Sequence, residues 1–221
     1  MRAATMMLVA LAALAALPTP SAAEKGTSRL SVGVGQGVGD FVNPRPGTGP
    51  LTLDTGDDSR QVEAFAEYSY EFAPDWALAV RGAYGFFGAS QEPDAAGSPT
   101  QDYTSSSFGL RAGVDRLGRV SDRLTVFLGP GLEYWSGRTE FENIYGTTPP
   151  DDDVKSATTS RISISGRVGG ILALSSAVGV VGQVGHQLGY ATAEDSGAKA
   201  TWWPSHFNAA LGLVFEFGGG Q

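Results

Sequence analysis

The sequence predicts an all-β fold: an eight-stranded, antiparallel, up-and-down β-barrel. Three observations carry this. Apolar and polar residues alternate with a period of two in eight separate segments, which is the spacing that sends successive side chains of a strand to opposite faces. The connections between those segments are alternately short and long, as in a chain that reverses direction at each strand and is trimmed at one end of the structure. Composition offers no competing class. The 31 glycines of the 221-residue chain have no three-residue period, which excludes a collagen-like fibre, and its 22 aromatics argue against disorder. With no cysteine there is neither a disulfide scaffold nor a thiolate metal site, and a net charge of −8 opposes nucleic-acid binding.

The N-terminus reads as an export address. Arg2 precedes an apolar run from Met6 to Leu17, Pro18 and Pro20 break it, and Ser21-Ala22-Ala23 supplies a small-residue cleavage site. The run is shorter than the ~20 residues of a membrane-spanning helix. Residues 1–23 are therefore expected to be a cleaved signal peptide and 24–221 a single barrel domain, with no periplasmic domain after it.

The strands are expected at 28–41, 62–72, 76–87, 105–116, 123–136, 160–174, 178–190 and 203–217. In the second, Val62, Ala64, Ala66, Tyr68, Tyr70 and Phe72 share one face, and Glu63, Phe65, Glu67, Ser69 and Glu71 share the other. In the third, Trp76, Leu78, Val80, Gly82, Tyr84 and Phe86 oppose Ala77, Ala79, Arg81, Ala83, Gly85 and Phe87. Short turns fall near 73–75, 117–122 and 175–177. Long connections rich in Pro, Gly, Asp, Ser and Thr fall near 43–60, 88–104, 137–159 and 191–202.

Which face meets which solvent decides between a soluble and a transmembrane barrel. The polar face is poor in Lys and built from Gly, Ala and Ser with a few charges, which suits the narrow interior of an eight-stranded barrel better than a water-exposed surface. The strands exceed the ~9–11 residues needed to cross hydrocarbon. Aromatics collect at both ends, with Phe72, Trp76, Phe215 and Phe217 near the short turns and Tyr84, Phe86, Tyr134, Tyr190, Trp202 and Trp203 near the long loops. In lipid every backbone polar group must be paired, so the first strand is expected to close onto the last. Gln36 and His186 fall on lipid-facing positions, and Phe127 and Trp135 on interior ones, against the general pattern.

With these features the chain resembles the small eight-stranded outer-membrane barrels of Gram-negative bacteria, the OmpA-type and OmpX-type barrels, over its whole length after the signal peptide. The most specific part of the resemblance is Leu211-Gly212-Leu213-Val214-Phe215-Glu216-Phe217, which is similar to the C-terminal β-signal of that group, matched at Gly212, Phe215 and Phe217. The resemblance implies residence in the bacterial outer membrane as a monomer, contact with outer-membrane lipid and lipopolysaccharide, and recognition by the outer-membrane assembly machinery.

The chemistry-bearing residues are interior charges: Glu63, Glu67, Arg81, Arg111, Asp115, Glu133, Arg161, Arg167 and Glu216, with Glu71 beside them. They read as a packed salt-bridge plug rather than an ion path, because an eight-stranded barrel is only wide enough for its own side chains. The loops are acidic: segments 43–60, 88–104, 138–158 and 191–201 carry −1, −3, −3 and −1. Asp151-Asp152-Asp153 has no EF-hand spacing and reads as a solvated loop rather than a metal site. Some barrels of the resembling group modify lipid A with a His-x-Ser pair, but His186-Gln187-Leu188 and His206-Phe207-Asn208 lack that serine. The glycines at 33, 35, 37 and 39 lie in a strand with no helix after them, so they are not a phosphate loop. The expected function is a lipid-anchored scaffold that presents acidic extracellular loops for adhesion, surface interaction or envelope integrity, with no catalytic, cofactor-binding or metal residues. The alternatives are a narrow pore for small or apolar solutes and a lipid A-modifying enzyme.

Overall fold

A computed structural model describes residues 26–39, 43–45, 52–54, 60–91, 101–142, 155–195 and 198–217. The expected signal peptide, Asp151-Asp152-Asp153 and the segment after Phe217 lie outside the described residues, as do much of loop 43–60 and all of 92–100 and 143–154.

Eight strands form the wall: β1 (Ser28–Gly39), β2 (Arg60–Ala73), β3 (Trp76–Gln91), β4 (Gln101–Arg119), β5 (Leu124–Glu142), β6 (Lys155–Ala173), β7 (Val178–Asp195) and β8 (Ser205–Phe217). Each pairs antiparallel with its sequence neighbour, and β1 pairs with β8 from Ser28↔Phe217 to Gly39↔His206. The sheet is thus a closed ring whose wall presents no free edge to its surroundings.

Local chemistry sets each short turn. At Pro74-Asp75 the proline fixes the first corner and Asp75 takes φ 64°, a left-handed conformation that Asp tolerates. Between β4 and β5 the Ser121 hydroxyl accepts from the backbone N–H of Arg123 and Leu124 at 3.3 and 3.2 Å, and between β6 and β7 Ser175 does the same for Ala177 and Val178.

The faces divide as the alternation requires. Val62, Leu78 and Leu213 point outward and are 56%, 47% and 46% exposed, whereas Glu67 and Arg81 point inward and are 8% and 5% exposed. A continuous outer belt of Leu, Val, Ile and aromatic side chains is exposed, which is the reverse of a water-soluble barrel. Phe127 and Trp135 are interior residues in unbroken register, and Gln36 is exposed on the outer wall.

Strand ends differ from expectation on the long-loop side. The segment expected to end at 87 runs to Gln91, 105–116 starts at Gln101 (and runs on to Arg119 at its short-turn end), 123–136 reaches Glu142, 160–174 starts at Lys155, and 178–190 reaches Asp195. Nineteen residues in β5 give about 60 Å of strand at ~3.3 Å per residue, far more than an apolar band ~25 Å tall requires. The extra turns carry Ser, Thr, Arg and Glu outward, so the hydrophobic alternation stops before the pairing does. Two short pairings lie within expected loops: Asn43–Arg45 with Thr52–Asp54, and Ala198–Trp202 against the end of β7. Trp202 therefore lies opposite the buried Ala191 rather than in the outer girdle, while Trp203 is exposed and packs edge-on against Tyr190.

Candidate functional site

The barrel interior is filled in layers, each built from the inward positions of several strands. At the short-turn mouth, Arg29 of β1 forms ion pairs with Glu71 of β2 and with Glu216 of β8, the latter at 3.4 Å. Above it lies an apolar layer of Ala77, Leu117, Phe127, Val181 and Val214, with Ile171 packed against it.

Arg167 of β6 occupies the next layer. Its guanidinium donates to Asp115 of β4, with Nε to Oδ1 at 3.1 Å, and to Glu67 of β2, with Nη2 to Oε1 at 3.0 Å. A second ion-paired contact reaches each carboxylate, and Gln183 accepts from Nη1 at 3.0 Å. Strands β2 and β6 are diametrically opposed in a ring of eight, so this side chain and its partner bridge the lumen from wall to wall. The guanidinium also lies 5.1 Å from the Phe127 ring centre. A buried cation needs partners on every side to offset lost hydration, and two carboxylates, an amide and an aromatic face supply them.

Higher still, Arg81 pairs with Glu63 and lies 3.9 Å over the Phe65 ring. Arg111 faces Glu133 at 3.7 Å and donates to the Ser165 hydroxyl at 3.2 Å, while the Trp135 indole N–H donates to Glu133 at 3.1 Å. Arg161 donates to Gln187 at 3.2 Å and to His206 Nδ1 at 3.3 Å, with its guanidinium 5.5 Å from the Trp135 ring. Arg111 Nη1 has no hydrogen-bond partner among the described residues, and the void that Arg111 lines with Glu63, Arg81, Glu133, Trp135 and Gln187 has room for about one water. Glycine makes this packing possible: a Cβ on Gly109 would come within 2.5 Å of the Trp135 ring, and one on Gly131 within 2.8 Å of the Arg111 guanidinium.

Eight of the nine expected interior charges are buried in this network, namely Glu63, Glu67, Arg81, Arg111, Asp115, Glu133, Arg161 and Arg167. Glu216, the ninth, pairs with Arg29 at the short-turn mouth, where its side chain is 41% exposed near the end of β8. Arg29, Gln183, Gln187 and His206 belong to the network without having been expected there. Their parity held the signal, since Arg29 is in step with Ser31 and Gly33, and His206 with Asn208 and Ala210. Of the β-signal residues, Gly212 lies opposite Gly33 at the β1–β8 seam, and Phe215 and Phe217 point outward opposite Leu30 and Ser28.

On the outer wall His186 lies opposite Phe207, with ring centres 4.4 Å apart, and its Nε2 is 3.0 Å from the Ser205 hydroxyl. A serine two residues along the same strand is missing, but one on the neighbouring strand reaches the imidazole. Sequence spacing could not show this, because it depends on the β7–β8 register.

The chain matches the model of the outer membrane protein beta-barrel domain over residues 7–215 and belongs to that family. Among solved structures it is similar to the outer membrane protein OprG of Pseudomonas aeruginosa, at 14% identity and a TM-score of 0.52, covering 88% of this chain and 97% of that one. Ail, the attachment invasion locus protein of Yersinia pestis, aligns at 15% identity and a TM-score of 0.46, covering 87% of this chain and 99% of that one. At such identities the likeness is one of fold alone, and OprG carries it. A comparison with curated protein sequences finds no match. The family, together with the outward apolar belt, makes this an integral β-barrel protein of the bacterial outer membrane, in contact with its lipid.

Proposed function

We propose that the protein is a sealed, lipid-anchored monomeric scaffold, put in place by the outer-membrane assembly machinery, whose acidic extracellular loops act in adhesion, surface interaction or envelope integrity. One observation carries the reading: Arg167 spans the lumen to Glu67 and Asp115 directly above an apolar layer that includes Phe127, Leu117 and Val214. An ion following the axis would have to break a doubly paired guanidinium and then cross apolar side chains. The barrel wall then serves to hold the loops at the surface, and the loops carry most of the net negative charge. Purified protein in planar bilayers is expected to give no single-channel steps above background. Regular conductance steps would replace the scaffold reading with the narrow pore.

A second reading, a lipid A-modifying enzyme, is favoured by the His186–Ser205 contact on the lipid-facing wall. An imidazole within hydrogen-bond reach of a hydroxyl is the minimal nucleophile and base pair. Mass analysis of lipid A from cells with the wild-type protein, with Ser205→Ala and with no protein decides it. Identical lipid A profiles in all three leave the scaffold, whereas a change that Ser205→Ala abolishes establishes the enzyme.

A further inference from the structure

We propose that the long-loop end of the lumen holds a binding site for one small monovalent anion, a halide or a carboxylate, formed by Arg161, Ser163 and Trp202. Three polar atoms there are buried without a hydrogen-bond partner among the described residues: Arg161 Nε, Ser163 Oγ and Trp202 Nε1. Buried polar groups are paired as a rule, so three orphans on neighbouring positions call for a ligand. All three can donate, and the guanidinium and the indole can only donate.

Register gathers them. Arg161 of β6 lies opposite Ala191 of β7, and Trp202 lies opposite Ala191 on the other side. Ser163 is the next inward residue of β6 and lies opposite Gly189. Arg161 sends Nη2 to Gln187 and Nη1 to His206, a pair in register nearer the short turns, so its stem passes the level of Ser163 and Gly189. The inward positions of β7 here are Gly189, Ala191 and Ala193, which fill little space. Ala191 and Ala193 are 1% and 0% exposed, so this bare floor is covered. Gly189 has to lack a side chain, because a Cβ there would come within 2.5 Å of Ser163 Oγ. The backbones on either side of β7 stand about 10 Å apart, a gap that side chains reaching in from both can close around a single ion.

Charge points the same way. Arg29, Arg81, Arg111 and Arg167 each have a carboxylate within ion-pair distance. Arg161 has none among the described residues, and its polar partners are an amide and an imidazole. Glu63 and Glu133 act on it only from farther off, and they are engaged by Arg81 and by Arg111 and Trp135. A water brings no charge and accepts two hydrogen bonds, whereas an anion accepts from three donors and neutralises the guanidinium. Long loops of this barrel class lie outside the cell, and Trp202 is half-buried, so the site opens towards the extracellular mouth. The layer of Arg167 closes it from below. Salt screens charges in solvent over ~8 Å, but the enclosed guanidinium acts on the ion directly.

The test uses wild type and the variants R161Q, S163A and W202F, each checked for folding by the heat-dependent gel shift. Urea midpoints are measured in phosphatidylcholine vesicles with potassium chloride, bromide, formate or the bulky sulfonate isethionate at equal ionic strength. Wild type should gain a higher, saturable midpoint from chloride and bromide over isethionate. S163A and W202F should need about ten-fold more halide for the same gain, as expected for one lost hydrogen bond to a charged group, and R161Q should show none. Crystals grown in bromide should give an anomalous peak beside Arg161 Nε and Trp202 Nε1. A gain from formate as well places carboxylates in the ligand class, and a gain from halides alone restricts it to them; either supports the site. Equal wild-type midpoints in all four salts would overturn it and leave the space to water. So would a salt dependence shared by wild type, S163A and W202F, or bromide crystals with no peak at this position. If R161Q does not fold, the other two variants carry the comparison.

Discussion

Arg167 shows how much one side chain can organise. It reaches two carboxylates on two other strands, Glu67 on β2 and Asp115 on β4, and it rests on Phe127 of β5. Removing it would leave two acids in a site with no other cation paired to them among the described residues. Breaking a buried ion pair from one side typically costs about 3–5 kcal/mol, whereas replacing the whole constellation with apolar groups is often neutral. Arg167→Met is therefore expected to lower the unfolding free energy by about that amount. The triple change Arg167→Met, Glu67→Leu and Asp115→Leu should recover most of the loss. Urea titration in vesicles, followed by tryptophan fluorescence, measures both. If the single variant matches wild type, the bridge is not a structural tie. The charges of this network were legible as a set, because each interrupts an otherwise small-residue face. Their pairing was not, since Arg167 meets Glu67 a hundred residues away by facing it across the ring, and the only trace in the sequence is inward parity.

At the scale of strands, the alternation states the surrounding solvent as well as the fold. Leu211 lies on the outer wall of β8, between Phe215 towards one end and Phe207 towards the other, and Thr158 lies outward on β6 beyond the apolar belt. Leu211→Arg should cost about 2–4 kcal/mol, the penalty of a guanidinium at mid-bilayer, while Thr158→Arg should change stability by under ~1 kcal/mol. Unfolding midpoints of the two variants in the same vesicles compare them directly, and equal costs would mean that Leu211 does not face hydrocarbon. All eight strands were legible because lipid on one side and a packed lumen on the other impose strict period-two chemistry. Their upper ends were not. Beyond the bilayer, Ser136, Arg138 and Glu140 on β5 and Ser156, Thr158 and Ser160 on β6 meet water, so polar residues occupy both faces and the contrast that marks a strand disappears. The pairing Ala198–Trp202 with β7 was hidden for the same reason, inside a segment that reads as loop.

The whole molecule has three environments, and each should leave its own mark on a probe. A nitroxide on Leu78→Cys would stand in the outer belt, one on Arg138→Cys would stand on the exposed collar beside Glu140, and one on Ser163→Cys would be wedged in the packed lumen. Molecular oxygen concentrates in hydrocarbon, whereas a water-soluble nickel chelate is excluded from it. In vesicles the Leu78 probe should therefore relax strongly with oxygen and weakly with the chelate, and the Arg138 probe should do the reverse. The Ser163 probe is the most discriminating, because a sealed lumen and a water-filled one differ there and nowhere else. Ser163 is buried at 2% exposure and the void beside Arg111 has room for about one water, so in a sealed lumen neither reagent should reach it. If the chelate relaxes the Ser163 probe as strongly as the Arg138 probe, the lumen is wet and continuous with the aqueous phase. The salt-bridge layers would then line a path, and the arginines of β3, β4 and β6 would set its selectivity instead of closing the wall around it.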